Sequence, residues 1–226
     1  MTKLNIDNPG IASQIEYLRE FISVERYEKL LSRVELRTRG MVLCLEDTYH
    51  AHNASATIRS AEAFGLQQIH VVESTCHFRP SQNIVRGTDR WIDIERWDST
   101  QDLVTRLREQ GYRIVVTTPR DGATTPDEFD VTSAPFAVFM GTEKTGISEW
   151  LMGEADQALY IPMSGFAESL NVSVSAAILT QSLTHRLRQE SPQSWQLEKS
   201  EREELLLKWV KHSVKDVENI LKRGGF

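Results

Sequence analysis

The apolar positions of the chain change their spacing near residue 40. Over residues 11–37 they recur at helical intervals, which predicts one or two amphipathic helices. Beyond residue 40, short apolar runs alternate with helical stretches, a pattern typical of a parallel sheet with helices on both faces. The runs that predict strands are 42–45, 69–72, 91–94, 114–116, 136–140 and 159–161. We therefore expect an α/β fold with a six-stranded, mostly parallel sheet.

Helical patterns fill the intervals between these runs and the end of the chain. They predict helices at 53–64, 100–110 and 148–152. A longer helix follows the last strand, with an apolar stripe through Val172, Ala176, Leu179, Leu183 and Leu187. A final helix at about 198–222 is expected to pack through Leu206, Val210, Val214, Val217 and Leu221. The predicted organisation is a helical extension at 1–39, an α/β domain at 40–190 and a second helical extension at 191–226.

The composition is that of an ordinary globular protein and excludes several classes. Hydrophobic residues make up 40% and charged residues 26% of the 226 residues. No apolar run approaches the roughly 20 residues of a membrane span, and the first residues lack a secretion signal, so we expect a cytoplasmic protein with no membrane partner. The net charge of −6 disfavours binding by bulk electrostatics but leaves room for a local basic face. Two cysteines, Cys44 and Cys76, predict neither a disulfide framework nor a metal site.

The common nucleotide and nucleophile fingerprints are absent from the sequence. No strand is followed by G-x-G-x-x-G, and no G-x-S-x-G occurs. The segment 141–146 resembles a phosphate loop, but Ile147 and Ser148 stand where its lysine and hydroxyl residue belong. His50 and His52 have a spacing that suits a metal, yet no cluster completes a coordination shell, so we predict no metal site.

Three segments carry residues that a plain α/β fold does not require. In the first, residues 53–59, Asn53 is expected to cap a helix. Arg59 then lies near the carboxyl edge of the preceding strand, where open parallel sheets bind ligands. Taken alone, Arg59 is explained more simply as a surface arginine.

The second and third segments follow the last two strands. Gly141 and Gly146 allow close backbone approach, and Glu143 adds a charge between them, although an ordinary turn is an equal alternative. Further on, Ser169 and Asn171 sit where the long helix begins. They are either helix caps or part of a loop whose backbone amides hold a nucleoside, and their spacing does not decide between these alternatives.

Together, and in this order, the three segments resemble the motifs of the TrmH (SpoU) family of RNA 2′-O-ribose methyltransferases, within the SPOUT superfamily. Each motif is weak alone, but all three at these separations are specific, and the similarity extends over roughly residues 40–188. The resemblance implies a parallel sheet whose C-terminal part is tied in a deep trefoil knot, built around residue 141 and residues 161–173. It also implies a homodimer whose active site is completed across the interface.

The resemblance further implies a cofactor and a set of site residues. The cofactor is S-adenosylmethionine, contacted largely through backbone atoms by Thr117, Gly141, Ile161 and Leu170, with Ser169 close by. The catalytic set is Arg59, Asn53, Glu143, Ser169 and Asn171. Because an arginine is essentially never deprotonated in proteins, the hypothesis for Arg59 is that it binds a neighbouring phosphate and stabilises the developing alkoxide.

The substrate that the resemblance favours is tRNA, at guanosine-18 of the D-loop. The helical extensions and the form of the 143–146 segment are similar to the tRNA enzymes, whereas Glu168 departs from their pattern. The alternatives are an rRNA 2′-O-methyltransferase and a catalytically silent RNA-binding module. A phosphate-binding surface, or simply a solvated face, is formed by Lys208, Lys211, Lys215, Lys222, Arg223, Arg79, Arg86 and Arg90.

Overall fold

The computed structural model describes residues 6–47, 50–74, 87–119, 122–142 and 145–226. The chain divides into two compact units. One unit is Thr38–Trp195 and contains the sheet. The other combines Met1–Arg37 with Gln196–Phe226. The helices at the two ends of the sequence therefore form one unit rather than two separate extensions.

The sheet has six strands in the order β3-β2-β1-β5-β4-β6, and every pairing is parallel. The strands are β1 (Met41–Glu46), β2 (Gln68–Val72), β3 (Asp93–Trp97), β4 (Arg113–Thr117), β5 (Phe136–Met140) and β6 (Gln157–Leu159). The prediction of a six-stranded α/β fold is confirmed. Parallel pairing throughout places all six carboxyl ends along one edge.

Two predicted strands lie at shifted positions. Strand β3 begins at Asp93 rather than at residue 91, because Trp91 closes a 3-10 turn over Thr88–Arg90. Strand β6 ends at Leu159 rather than at residue 161, because Thr117, the last residue of β4, is its last ladder partner. In both cases the apolar pattern is right, and the local hydrogen bonding sets the boundary.

The central strands are buried on both faces, which explains why they appear in the sequence as continuous apolar runs. In β1 the side chains alternate between two cores. Met41, Leu43 and Leu45 pack with one cluster, while Val42 and Cys44 pack with the other. The first cluster includes residues of helices α3 (Ala51–Ala63) and α6 (Val172–Leu187). The second includes residues of helices α4 (Thr100–Glu109) and α5 (Glu149–Glu154).

Helices α3 and α6 pack against each other on one face of the sheet. The predicted stripe of α6 is buried at all five positions, from Val172 to Leu187. Asn53, predicted as the cap of α3, is not its cap. The helix begins at Ala51, so His50 is the N-cap, its side chain makes no capping hydrogen bond, and Asn53 lies in the first turn.

The second unit is helical. Its helices are α1 (Pro9–Leu18), α2 (Val24–Val34), α7 (Lys199–Ser213) and α8 (Val217–Arg223). The single final helix expected at 198–222 is broken between α7 and α8, because Val214 is extended and Asp216 is left-handed with φ 53°. Among the described helices, none has the length and apolar character needed to cross a bilayer.

Candidate functional site

Three of the predicted cofactor residues lie together at the carboxyl edge of the sheet. Thr117 ends β4, Gly141 follows β5 and Ile161 follows β6. The register pairs Thr117 with Leu159, and the Thr117 hydroxyl donates to the carbonyl of Phe139 at 3.0 Å. These three adjacent strand ends therefore form one surface, at the edge where open parallel sheets bind ligands.

The end of β6 is held on two sides by the connection between β4 and β5. On one side the amide of Thr118 donates to the carbonyl of Leu159 at 2.9 Å. On the other side the amide of Thr124 donates to the carbonyl of Ala158 at 3.1 Å, and the amide of Tyr160 donates to the carbonyl of Thr124 at 3.0 Å. The strand thus lies between two parts of one connecting segment.

The segment after β5 forms a turn closed by its own backbone. The amide of Thr142 donates to the carbonyl of Gly146 at 3.1 Å, and the reverse bond measures 3.0 Å. A Cβ on Gly141 would lie 2.2 Å from the carbonyl group of Gly146, so glycine is required there. Gly146 itself has φ 69°, a left-handed conformation that favours glycine. The group that approaches Gly141 closely is therefore the backbone of Gly146 in the same chain. Glu143 lies outside the described residues.

The segment after β6 is an open loop, residues 160–171, without helix or strand. Within the described chain, no hydrogen bond uses the backbone amides of residues 164–170. The hydroxyl of Ser169 is also without a partner there and is exposed, while Leu170 is half-buried. Phe166, near the middle of this loop, has a relative exposure of 109%. The loop therefore presents donors that no other described part of the protein uses.

Asn171 connects this loop to helix α3. Its Oδ1 accepts from the amides of Ser173 at 2.9 Å and Val174 at 3.4 Å, so it is the N-cap of α6. Its Nδ2 donates to Oδ1 of Asn53 at 3.1 Å. Asn171 thus caps helix α6 and also contacts Asn53, another predicted site residue. The N-termini of α3 and α6 meet at this contact, and both carry partial positive charge.

Arg59 stands apart from the other predicted residues. It is the ninth residue of α3, about 12 Å along the helix axis from Ala51. Its side chain is exposed and makes no hydrogen bond or ion pair with any described residue. In the described part of one chain, no hydrogen bond or ion pair therefore joins Arg59 to Asn53, Ser169 or Asn171.

Glu46, at the carboxyl end of β1, was missed by the sequence analysis. It is 6% exposed and accepts from the Thr100 hydroxyl at 2.8 Å. Ser148 donates to it twice, from its hydroxyl at 2.8 Å and from its amide at 2.9 Å. Thr100 begins α4, and Ser148 is the N-cap of α5. A charge that ends an otherwise apolar strand was the signal available in the sequence.

Two other buried titratable groups lie in the sheet, His70 on β2 and Cys44 on β1. Burial, followed by the charge of Arg39, lowers the pKa of His70 to about 4. Trp97 donates to its Nδ1 at 3.1 Å, which keeps that nitrogen unprotonated, so the nearby Glu95 oxygen at 3.4 Å does not form an ion pair with it. Burial also raises the pKa of the Cys44 thiol. Within the described ranges, no three metal-ligating side chains are grouped.

Comparison with known proteins identifies the family. The model of the SpoU rRNA Methylase family matches residues 40–181. The chain belongs to this family. A SpoU relative from Borreliella burgdorferi, named tRNA (guanosine(18)-2′-O)-methyltransferase, is 33% identical over 214 residues, which are 93% of this chain and 97% of that protein.

Solved SpoU structures agree with this assignment. The Aquifex aeolicus TrmH/SpoU tRNA modifying enzyme superposes with a TM-score of 0.75 at 26% identity, covering 85% of this chain and 98% of its own. The AdoMet-bound rRNA methyltransferase from Sinorhizobium meliloti gives 0.60 at 28% identity, covering 67% of this chain and 58% of its own. The predicted SpoU membership is confirmed.

Proposed function

We propose that the chain transfers the methyl group of S-adenosylmethionine to the ribose 2′-hydroxyl of guanosine-18 in the D-loop of tRNA. The similarity to the Borreliella burgdorferi protein of that activity spans nearly the whole of both chains, so it includes the helical unit. Relatives of the same name from Borreliella burgdorferi and Aquifex aeolicus are matched over 93% and 88% of this chain, whereas the rRNA methyltransferase RlmP from Bacillus subtilis is matched over 64%. Similarity that includes the helical unit favours tRNA over rRNA as the substrate, and the proposed enzyme is cytoplasmic.

The observation that carries the proposal is the contact between Asn171 and Asn53. It joins the open loop after β6 to the first turn of α3. Two helix N-termini that meet at this point favour an oxygen that becomes negative as it loses its proton. The contact therefore connects the loop assigned to the cofactor with a region suited to the reacting ribose.

The residues at the carboxyl ends of β4, β5 and β6 fit S-adenosylmethionine. When bound, the cofactor supplies a methyl group on a sulfonium, which is the reactive group. The unused amides of residues 164–170 and the hydroxyl of Ser169 would hold the polar edges of its nucleoside. Ile161 and Leu170, both half-buried, would supply apolar contact. Thr117 and Gly141 would line the same site from the ends of β4 and β5.

Arg59 acts, in this proposal, at the active site of a second copy of the chain. Its exposed guanidinium is charged at all relevant pH values and suits a phosphate next to the reacting ribose. Holding that phosphate would orient the 2′-oxygen and stabilise its negative charge. The family resemblance implies such a dimer. Exposed apolar residues on α6, Val174 and Ile178, are consistent with an uncovered face.

The deep trefoil knot is a further part of the proposal. Support comes from β6, whose two sides bond to Thr118 and Thr124 of one connecting segment. Helix α6 then returns to pack against α3. A knot here would bring the turn at 141–146 and the loop at 160–171 to one place and hold them there.

A basic surface on α7 and α8 would bind the tRNA backbone. Lys208, Lys215, Lys222 and Arg223 are exposed, Lys211 is half-buried, and Arg90 is exposed in the other unit. Arg79 and Arg86 lie outside the described residues. Replacing Lys208, Lys215 and Lys222 with Gln should weaken tRNA binding and flatten its salt dependence by about one unit of slope per lost phosphate contact. Arg106→Gln, an exposed cation on α4, should leave the slope unchanged.

The test of the proposed function is transfer of labelled methyl from S-adenosylmethionine to unmodified tRNA and to unmodified rRNA, followed by mapping of the labelled nucleotide. Label on the ribose of guanosine-18 is the expected result. Label on rRNA alone would replace the substrate while keeping the chemistry. No label on either RNA, with the cofactor bound, would favour a silent RNA-binding module.

A further inference from the structure

The segment that follows β5 is tethered to β1 at both ends. At its start, Met140 lies opposite Leu45 in the sheet. At its far end, Ser148 donates two hydrogen bonds to Glu46, the next residue of β1. The closed turn of Gly141 and Gly146 lies between these two tethers. The carboxylate of Glu46 is therefore one of two points at which this segment is attached to β1.

The carboxylate of Glu46 has no cation partner among the described residues. Burial of a charged carboxylate is costly unless hydrogen bonds satisfy its oxygens. Three donors do so here, from Thr100 and Ser148, and hydrogen bonds to a charged acceptor are about twice as strong as neutral ones. The side chain faces helices α4 and α5, opposite to the face of α3 and α6. Among the described residues, Glu46 makes no hydrogen bond with a predicted site residue, and Ser148 links it to the segment that contains Gly141 and Gly146.

We propose that Glu46 is a positioning residue for S-adenosylmethionine binding, an inference that rests on the proposed function. Its carboxylate holds Ser148, and thereby the 141–146 turn, at the sheet edge beside Thr117. When the hydrogen bonds between Ser148 and Glu46 are weakened, the turn should no longer be preorganised for the cofactor. The cofactor affinity should then fall while the reaction of the bound cofactor is largely retained.

The test is isothermal titration calorimetry of S-adenosylmethionine with the full chain, without RNA. In Glu46→Gln an amide donor replaces one acceptor oxygen, and the charge is lost. The loss of charge-assisted hydrogen bonds should raise the Kd for S-adenosylmethionine about tenfold. In the methyl transfer assay the KM for S-adenosylmethionine should rise in parallel, with kcat within about threefold of wild type.

Glu203→Gln is the matched control. Glu203 is a buried carboxylate of the helical unit that accepts from the amides of Asp7 at 2.8 Å and Asn8 at 3.3 Å. Its substitution should lower the thermal midpoint as Glu46→Gln does, but leave the Kd for S-adenosylmethionine within about twofold of wild type. An equal rise in Kd in both variants would reduce the effect of Glu46 to general destabilisation and overturn the inference.

The remaining outcomes separate the inference from the proposed function. If the wild-type chain binds no S-adenosylmethionine, the proposed function fails. If wild type binds and folded Glu46→Gln binds equally well, only the positioning role fails. Should Glu46→Gln not fold, Ser148→Ala keeps the amide bond to Glu46 but removes the hydroxyl donor and the side-chain cap of α5, and should raise the Kd about threefold. An unchanged Kd in Ser148→Ala would then contradict the role of Glu46.

Discussion

The segments that follow β5 and β6 leave the same edge of the sheet, on either side of β4, and use their backbone groups in opposite ways. After β5, Thr142 and Gly146 exchange two hydrogen bonds, and Glu46 holds the end of the segment through Ser148. After β6, residues 164–170 have no hydrogen bond on their amides within the described chain. The first segment is therefore shaped by its own contacts, and the second has amide donors that the described chain does not use.

This difference assigns separate tasks to the two segments. Exposed amides satisfied by water lose little when a ligand replaces that water, whereas a closed turn must break its own bonds to do so. We therefore expect the turn to be a rigid wall of the site and the loop to be the part that orders around the cofactor. Arg59 belongs to neither segment, so its contribution should be separable from both.

Arg59→Ala should have the largest effect on turnover. Loss of a charge that stabilises the developing alkoxide should lower kcat by about 10²–10³-fold. The affinity for S-adenosylmethionine should stay within about twofold of wild type, because the side chain makes no hydrogen bond or ion pair with the described residues of either segment. Titration calorimetry and single-turnover methyl transfer measure the two quantities. Full activity in this variant would remove Arg59 from the site.

Mixing two variants of lowered activity tests whether Arg59 acts across a dimer. A mixture of Arg59→Ala and Asn171→Ala chains, unfolded and refolded together, contains mixed dimers with one intact site if the two residues come from different subunits. Equal amounts should recover roughly a quarter of wild-type activity. No recovery, with mixed dimers present, would place both residues in one chain.

A pair of glycine substitutions compares the closed turn after β5 with the open loop after β6 through the free energy of unfolding. Gly141→Ala places a methyl group 2.2 Å from the backbone of Gly146, which should lower the free energy of unfolding by about 3 kcal/mol or more. Gly165 lies in the open loop, with nothing within 4 Å of a Cβ added there. Gly165→Ala should therefore change the free energy of unfolding by less than about 0.5 kcal/mol. Urea denaturation measures both. Equal effects would contradict the distinction between a closed turn and an open loop.

Two substitutions at Asn171 separate its two hydrogen-bonding roles. Asn171→Ala removes the cap of α6 and the contact to Asn53, and should cost about 1 kcal/mol of stability as well as activity. Asn171→Asp keeps an acceptor for the cap but has no amide to donate to Asn53. It should retain the thermal midpoint while kcat falls about tenfold. Wild-type turnover in Asn171→Asp would reduce Asn171 to a helix cap.

The sequence pattern predicted the sheet because parallel strands buried on both faces require apolar runs, as in β1 and β5. It also placed Thr117, Gly141 and Ile161 at strand ends, where the structure brings them together. The strand order and the hydrogen bonds of β6 to Thr118 and Thr124 depend on contacts between distant segments, which periodicity does not encode. The functional roles proposed for Thr117, Gly141 and Ile161 stay predictions.

Local boundaries were missed where the deciding contact has no strong signal in the sequence. The start of α3 precedes Asn53 because His50 takes the cap position without the side chain of a usual cap. The break before α8 falls at Asp216, with no glycine or proline to mark it. Glu46 escaped notice because its donors, Thr100 and Ser148, lie far from it in the chain.

Hydrogen exchange of the backbone amides, with and without S-adenosylmethionine, tests most directly whether the open loop is the cofactor-binding segment. Without the cofactor, the amides of residues 164–170 should exchange rapidly, while those of Thr142 and Gly146 should be protected. With saturating cofactor, exchange in the loop should slow at least about tenfold, and the turn should change little. Unaltered exchange at 164–170, with cofactor binding verified by calorimetry, would contradict this assignment.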